Sequence, residues 1–82
     1  MVCRTIKVGY GEAEAILKGK RFIFRSDKTA IKVGDIIQFN VVKQMKPVLH
    51  SITNRAYVVT SVDDSMTAPV VKGFKIIGFR SM

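Results

Sequence analysis

Four cations lie close together in the chain and are the side chains best suited to chemistry with an anionic ligand. They are Lys18, Lys20, Arg21 and Arg25. An arginine guanidinium can bind a phosphate through two parallel hydrogen bonds and can stack on a base, whereas a lysine ammonium acts as a point charge. Gly19 separates the two lysines, so we expect exposed backbone beside this charge. The spacing predicts a site for phosphate groups, with a solvated basic surface as the alternative.

Aromatic side chains supply the second component of a nucleic-acid site. Bases stack on aromatic rings, and each stacked base contributes about 1–3 kcal/mol. Tyr10 lies between two glycines, a setting that favours an exposed ring. Tyr57 lies in a predicted strand, and the phenylalanines alternate with polar residues, so we expect all of these in the core. Tyr10 is therefore the candidate stacking residue.

The remaining reactive side chains do not form a familiar catalytic or metal-binding pattern. His50 is the single histidine and Cys3 the single cysteine, so the usual sets of zinc ligands cannot be assembled. General-base catalysis by His50 would need a neighbour to orient its ring, and the sequence indicates none. Asp63 and Asp64 are too few for a closed metal site and are interpreted as a loop cap. We expect no cofactor, no metal and no catalytic residue.

Net charge indicates the class of partner. Fourteen lysines and arginines oppose six acidic residues, which gives a formal net charge of +8. Such an excess attracts polyanions, and nucleic acid is the most common of them. No segment approaches the ~18 consecutive apolar residues of a membrane span, and the first residues lack the apolar core of a secretory signal. Together with the single cysteine, these features predict a cytoplasmic protein without membrane association.

The elements that must position these residues are short and predict one α+β domain over residues 1–82. Residues 3–8 are interpreted as a first strand, and residues 12–18 as a two-turn helix that ends at Gly19. Residues 43–50 are expected to form a loop. Four further strands are predicted at residues 21–25, 36–42, 54–62 and 74–80. This order, five short strands with one helix after the first, favours antiparallel or mixed pairing that closes towards a small β-barrel.

Alternation along the strands predicts which faces are buried. Phe22 and Phe24 share one face of the second strand, and Arg21, Ile23 and Arg25 share the other. We expect the phenylalanine face to point inwards. The predicted core consists of Phe22, Phe24, Ile37, Phe39, Val41 and Ile76, with Ile16 and Leu17 of the helix packed on it.

Three segments, taken in order, resemble the ASCH domain family. Residues 16–21, with the sequence Ile-Leu-Lys-Gly-Lys-Arg, and the following Arg25 resemble its isoleucine-leucine-x-glycine-basic-basic signature. Residues 31–37 resemble its lysine-x-glycine-aspartate turn into a strand, and residues 73–79 resemble its closing strand. The first strand is similar to that of small bacterial and phage members. The resemblance therefore covers nearly the whole chain.

This resemblance implies a fold and a class of ligand. ASCH domains belong to the PUA-like superfamily of small β-barrels, which is associated with RNA and has a cleft near the helix and the second strand. One branch hydrolyses acetylated cytidine with a lysine, a threonine and a glutamate. This chain has Phe22 in place of that threonine, and its only glutamates are Glu12 and Glu14 at the helix start. The resemblance thus implies RNA binding without hydrolysis.

The sequence leaves three functions open. The first is an RNA-binding module with a basic cleft formed by Lys18, Lys20, Arg21 and Arg25, and with Tyr10 as a stacking residue. The second is a small nucleoside amidohydrolase of the acetylcytidine type that uses Lys20 or Arg21. The third is a protein-interaction module whose basic face binds an acidic partner. Salt-sensitive binding of RNA, turnover of acetylcytidine and capture of one acidic protein would distinguish them.

Overall fold

The computed structural model describes residues 2–64 and 71–82. They contain one short helix and six strands, joined by turns and loops. In chain order the elements are β1 (Cys3–Gly9), α1 (Tyr10–Leu17), β2 (Phe22–Ser26), β3 (Ile36–Lys43), β4 (Lys46–Pro47), β5 (Tyr57–Asp64) and β6 (Phe74–Ser81). The architecture is α+β, as predicted, with one strand more than expected. None of the described residues forms a helix with the length and apolar composition needed to cross a membrane.

The strands form one sheet in the order β1-β3-β5-β6-β2, and β4 pairs with β3 beside it. β1 and β3 run parallel, with Cys3 beside Ile36 and Gly9 beside Val42, and the other pairs are antiparallel. β1 and β2 are the two edges, because no ladder joins them in the described part of the chain. The sheet is thus not closed into a barrel by backbone pairing, and the predicted barrel is not confirmed.

α1 begins two residues earlier and ends one residue earlier than predicted, with Lys18 as its C-cap and Gly19 as the predicted stop. Gly19 has a φ angle of 122°, a conformation that side chains strongly disfavour. Its amide donates to the Ile16 carbonyl at 3.1 Å, and the Lys20 amide donates to the Ala15 carbonyl at 3.0 Å. This pair of bonds is the Schellman arrangement that satisfies the last carbonyl groups of a helix. The turn therefore fixes where the chain leaves α1 and enters β2.

β2 buries the face opposite to the one predicted. Ile23 is fully buried, whereas Phe22 and Phe24 are 45% and 48% exposed. Arg21 and Arg25, on the Ile23 side of the strand, are half-buried. The prediction that Phe22 and Phe24 enter the core was wrong by one residue in register. The Ile23 face turns inwards because the guanidinium groups of Arg21 and Arg25 both find hydrogen-bond acceptors on that side.

The core lies on the inner face of the sheet, where α1 packs. Phe39, Tyr57 and Phe79 form its centre, with ring centroids 5.3 Å apart in each pair. Ile76 is only half-buried, and its neighbour Ile77 takes the core position instead. The predicted burial or packing is confirmed for Ile16, Leu17, Ile37, Phe39 and Val41.

A tight hairpin replaces part of the loop predicted at residues 43–50. Lys43 pairs with Lys46, so Gln44 and Met45 form a two-residue turn with φ angles of 50° and 65°. Positive φ at both central residues defines a type I′ turn, in which asparagine and glycine are strongly preferred. A residue with a longer side chain pays about 1–2 kcal/mol in this left-handed region. The turn is therefore strained, and Met45 is 95% exposed at its tip.

Candidate nucleic-acid interface

Three phenylalanines are exposed on the outer face of β2 and β6, the face that points away from the core. Phe22, Phe24 and Phe74 are 45%, 48% and 45% exposed. The antiparallel register puts Phe24 beside Ile76 and Ser26 beside Phe74, so all three rings lie on one side of the sheet. The rings of Phe22 and Phe24 meet edge to face with centroids 6.0 Å apart. We call these three phenylalanines the aromatic platform.

Positive charge borders the aromatic platform. The Lys20 Nζ lies 5.2 Å from the centre of the Phe22 ring, within the range of a cation–π interaction. Arg80 is exposed. It lies two residues after Gly78, the pairing partner of Phe22, and is therefore also on the outer face of β6. Lys18 is exposed at the end of α1, two residues before Lys20. Lys20 and Arg80 form no ion pair with any described residue, so their charge is available to a ligand.

A β-bulge in β5 brings hydroxyl groups onto the same outer face. The register between β5 and β6 shifts between Val59 and Ser61, so Thr60 is an extra residue. Ser61 pairs with Gly78, where an added Cβ would lie 2.3 Å from the Ser61 Oγ and 3.5 Å from the Thr60 Oγ1. Only a glycine at position 78 leaves room for the Ser61 hydroxyl over β6. The bulge and the glycine together place two hydroxyl groups next to Phe22.

Asp63 occupies the next outward position of β5. The register puts it beside Ile76, which lies beside Phe24 on the other side. Its carboxylate is half-buried and makes no hydrogen bond or ion pair with any residue in the described ranges. The outer face therefore carries an aromatic ring on β2 and an oxygen-bearing side chain on β5 in each of two adjacent rows.

Arg21 stabilises the end of α1 and is turned away from the outer face. Its Nη1 donates to the Ile16 carbonyl at 2.7 Å and to the Lys20 carbonyl at 3.0 Å. Its guanidinium also lies over the ring of Tyr57, 5.5 Å from the centre. The open carbonyl groups at a helix C-terminus attract a cation in this way. The charge of Arg21 is thus used within the fold.

Arg25 joins the two edges of the sheet. Its Nη2 donates to the Lys7 carbonyl of β1 at 2.8 Å and to the Glu12 Oε1 at 3.0 Å. The side chains of Arg25 and Glu12 are each 25% exposed, so this ion pair is largely withdrawn from water. A side chain therefore bridges β1 and β2 where the backbone ladder does not form.

Tyr10 belongs to a second cluster, which contacts β3 and the segment after β4 and none of the platform residues. Its ring meets the His50 ring edge-on at 5.3 Å, and the Lys43 Nζ lies 4.8 Å from its centre. The His50 Nε2 is 2.9 Å from the Glu14 Oε1, and its Nδ1 accepts the Ile52 amide at 3.3 Å. The cluster ties the helix start to the segment after the β3–β4 hairpin.

Glu14 and His50 are residue types that act together in acid–base catalysis. Here the histidine is buried and both of its ring nitrogens are already hydrogen-bonded. Because Nδ1 accepts a backbone N–H, the proton of the neutral ring lies on Nε2, which donates to Glu14. The hydrogen bond from His50 is the main cause that lowers the pKa of Glu14 from 4.5; burial opposes it, and a hydrogen bond with Tyr10 adds to it. The His50 side chain is 4% exposed. Neither ring nitrogen is therefore free to take a proton from a substrate.

The structure separates the residues that the sequence grouped. Lys20 borders the aromatic platform, and Lys18 is exposed at the end of α1. Arg21 and Arg25 are bonded within the fold, and Tyr10 lies in the second cluster. Sequence reasoning missed the platform because it assigned the phenylalanines to the core. It also missed the Glu14–His50 pair, whose members are 36 residues apart.

Residues 2–64 and 71–82 contain neither a metal site nor an enclosed pocket. No group of three histidine, cysteine, aspartate or glutamate side chains is placed to hold a metal ion there. No pocket is formed within this part of the chain. No protein-family model matches the chain, and no curated protein is significantly similar to it. The aromatic platform and its basic border are accordingly the features from which a function can be inferred.

Proposed function

We propose that the protein binds single-stranded RNA on the outer face of β2 and β6, with bases stacked on the aromatic platform. The observation that carries this proposal is the exposure of three phenylalanines on one sheet face of a chain with a net charge of +8. RNA-binding sheets use exposed aromatic side chains in the same way, because every base has a flat apolar face. Stacking would also remove the three rings from water.

The charge around the platform favours an anionic partner over an apolar one. Lys20 is held against the Phe22 ring, Arg80 is exposed on the outer face of β6, and Lys18 is exposed two residues before Lys20. The phosphates of a strand whose bases stack on the platform would pass beside these cations. If about three phosphates are neutralised, log affinity falls against log salt with a slope near −2.1. A fourfold rise in salt would then weaken binding about twentyfold.

The resemblance to ASCH domains supports RNA as the ligand. On the same basis we propose that the fold is an open form of the PUA-like barrel, in which Arg25 spans the gap between β1 and β2. The hydrogen bond from Arg25 to the Lys7 carbonyl supports this, since it shows that the two sheet edges approach each other. In this proposal Lys18 and Lys20 contact phosphate, whereas Arg21 and Arg25 hold the fold together.

Fluorescence anisotropy with a short labelled single-stranded RNA tests the proposal. Loss of one stacked base in Phe24→Ala should weaken binding by about 5-fold to 150-fold. Leu49→Ala is the matched control, because Leu49 is also apolar and 89% exposed but lies outside the sheet. Equal affinity of Phe24→Ala and the wild-type protein would contradict the proposal. A DNA strand of the same sequence that binds equally well would contradict the choice of RNA.

A further inference from the structure

We infer that the outer face also selects among bases, and that it favours bases with an exocyclic amino group over uracil. This inference rests on the proposed function and adds to it the class of base that is bound. It comes from the oxygen-bearing side chains that β5 places beside the aromatic platform. Asp63 carries the selection, and Ser61 and Thr60 lie next to it on the same face.

Each row across the sheet places an aromatic ring on β2 and an oxygen-bearing side chain on β5 at either side of β6. In one row Phe24 lies beside Ile76 and Ile76 beside Asp63, so the ring and the carboxylate are two strands apart. Two strand spacings amount to about 10 Å. A base stacked on the Phe24 ring would cover Ile76 and point its edge at Asp63. Ile76 is half-buried and offers an apolar floor for such a base.

The carboxylate of Asp63 favours bases that present hydrogen-bond donors and disfavours bases that present carbonyl oxygens. An ionised carboxylate only accepts hydrogen bonds. Cytosine and adenine present an amino group on the edge away from the backbone, and guanine presents a ring N–H beside its amino group. Uracil presents carbonyl oxygens on either side of a single N–H, and these would be repelled. The hydroxyl groups of Ser61 and Thr60 can donate or accept, so they adapt to any base and do not select.

The surrounding structure holds these groups in place. The bulge at Thr60 moves Ser61 into register with Gly78, and the missing Cβ of Gly78 leaves the space that the Ser61 Oγ occupies. Bulges of this kind commonly re-aim side chains beside functional sites. Asp63 then follows two positions after Ser61 and so shares its face. A regular strand continuing from the inward-facing Val59 would have turned both Ser61 and Asp63 inwards.

Competition between two short RNAs tests the inference. Both are oligouridine strands, and one has its central uridine replaced by cytidine, which exchanges a carbonyl for an amino group. We expect the wild-type protein to bind the cytidine-containing strand about tenfold more tightly. Asp63→Asn keeps the shape but can donate as well as accept, so the preference should fall to nearly none. Asp27→Asn is the control, because it removes the same charge from an exposed turn beyond β2.

The outcomes separate this inference from the proposed function. A preference for cytidine that Asp63→Asn abolishes and Asp27→Asn retains supports the inference. Equal binding of the two strands, or a preference that survives Asp63→Asn, overturns it and leaves RNA binding in place if Phe24→Ala still weakens both strands. Absence of binding of either strand at low salt overturns both proposals.

Discussion

The register of β2 predicts a large loss of stability when Ile23 is truncated and a small loss when Phe24 is truncated. Ile23 is fully buried, so Ile23→Ala should lower the free energy of unfolding by about 2–5 kcal/mol, because it removes buried methyl groups and leaves a cavity. Phe24 is 48% exposed, so only about half of the ~1.5–3 kcal/mol from fully burying such a side chain is at stake. Phe24→Ala should therefore cost about 1 kcal/mol.

Urea denaturation separates these two effects. With a slope of about 1–2 kcal/mol per molar, Ile23→Ala should lower the urea midpoint by about 2 M, and Phe24→Ala by about 0.5–1 M. Phe39→Ala is the matched control for the second change, because Phe39 is 1% exposed. The same phenylalanine-to-alanine substitution should cost about 3–5 kcal/mol there.

One result would refute the register. If Phe24→Ala were as damaging as Phe39→Ala while Ile23→Ala were nearly neutral, the phenylalanine face would be the buried one. The aromatic platform would then not exist on the outer face, and the proposed RNA site would lose its basis.

Three further changes test the interactions that hold the fold around the site. Arg25→Met should lower the free energy of unfolding by about 1–2 kcal/mol, measured by urea denaturation, because it removes a charged hydrogen bond between the two sheet edges. The double change Gln44→Asn and Met45→Gly should raise it by about 1 kcal/mol, because these residues suit positive φ. Glu14→Gln should lower the melting temperature at neutral pH, measured by thermal denaturation, and the difference should shrink as the pH falls below 4.5. The lowered pKa of Glu14 stabilises the fold above its unfolded-state pKa, and this effect is lost as pH falls through the folded-state pKa.

Each of these changes has an outcome that contradicts its reasoning. A wild-type midpoint for Arg25→Met would show that the bridge between β1 and β2 adds nothing to stability. A less stable hairpin variant would contradict the type I′ turn at Gln44 and Met45. A difference between Glu14→Gln and the wild-type protein that is the same in acid and at neutral pH would show that the hydrogen bond from His50 does not depend on the Glu14 carboxylate.

The helix and five of the six strands could be predicted from the sequence. β4, the continuation of β5 through Asp63 and Asp64, and the burial of β2 could not. In Arg21-Phe-Ile-Phe-Arg25 either face can be buried, because one offers two phenylalanines and the other an isoleucine between two arginines. The choice depends on acceptors that are distant in sequence or lie in the preceding turn. The Ile16 carbonyl accepts a hydrogen bond from Arg21, and the Lys7 carbonyl accepts one from Arg25. No local pattern reveals these partners.

Two other features depended on contacts that a sequence pattern does not encode. The β3–β4 hairpin was missed because Gln44 and Met45 are unusual in a turn with positive φ. His50 was expected to lack an orienting neighbour, and the structure supplies Glu14 from α1. In contrast, the stop at Gly19 was predicted correctly, because a glycine after a helix acts through its own backbone freedom.

The most direct test of RNA binding on the outer face is a nuclear magnetic resonance titration with a short single-stranded RNA. Backbone amide and aromatic side-chain signals are followed as the RNA is added. We predict that the largest changes affect Phe22, Phe24 and Phe74, because stacked bases shift the resonances of the rings they cover, while Tyr10 and His50 remain nearly unchanged. Largest changes at Tyr10 and His50, with the three phenylalanines unaffected, would contradict the account.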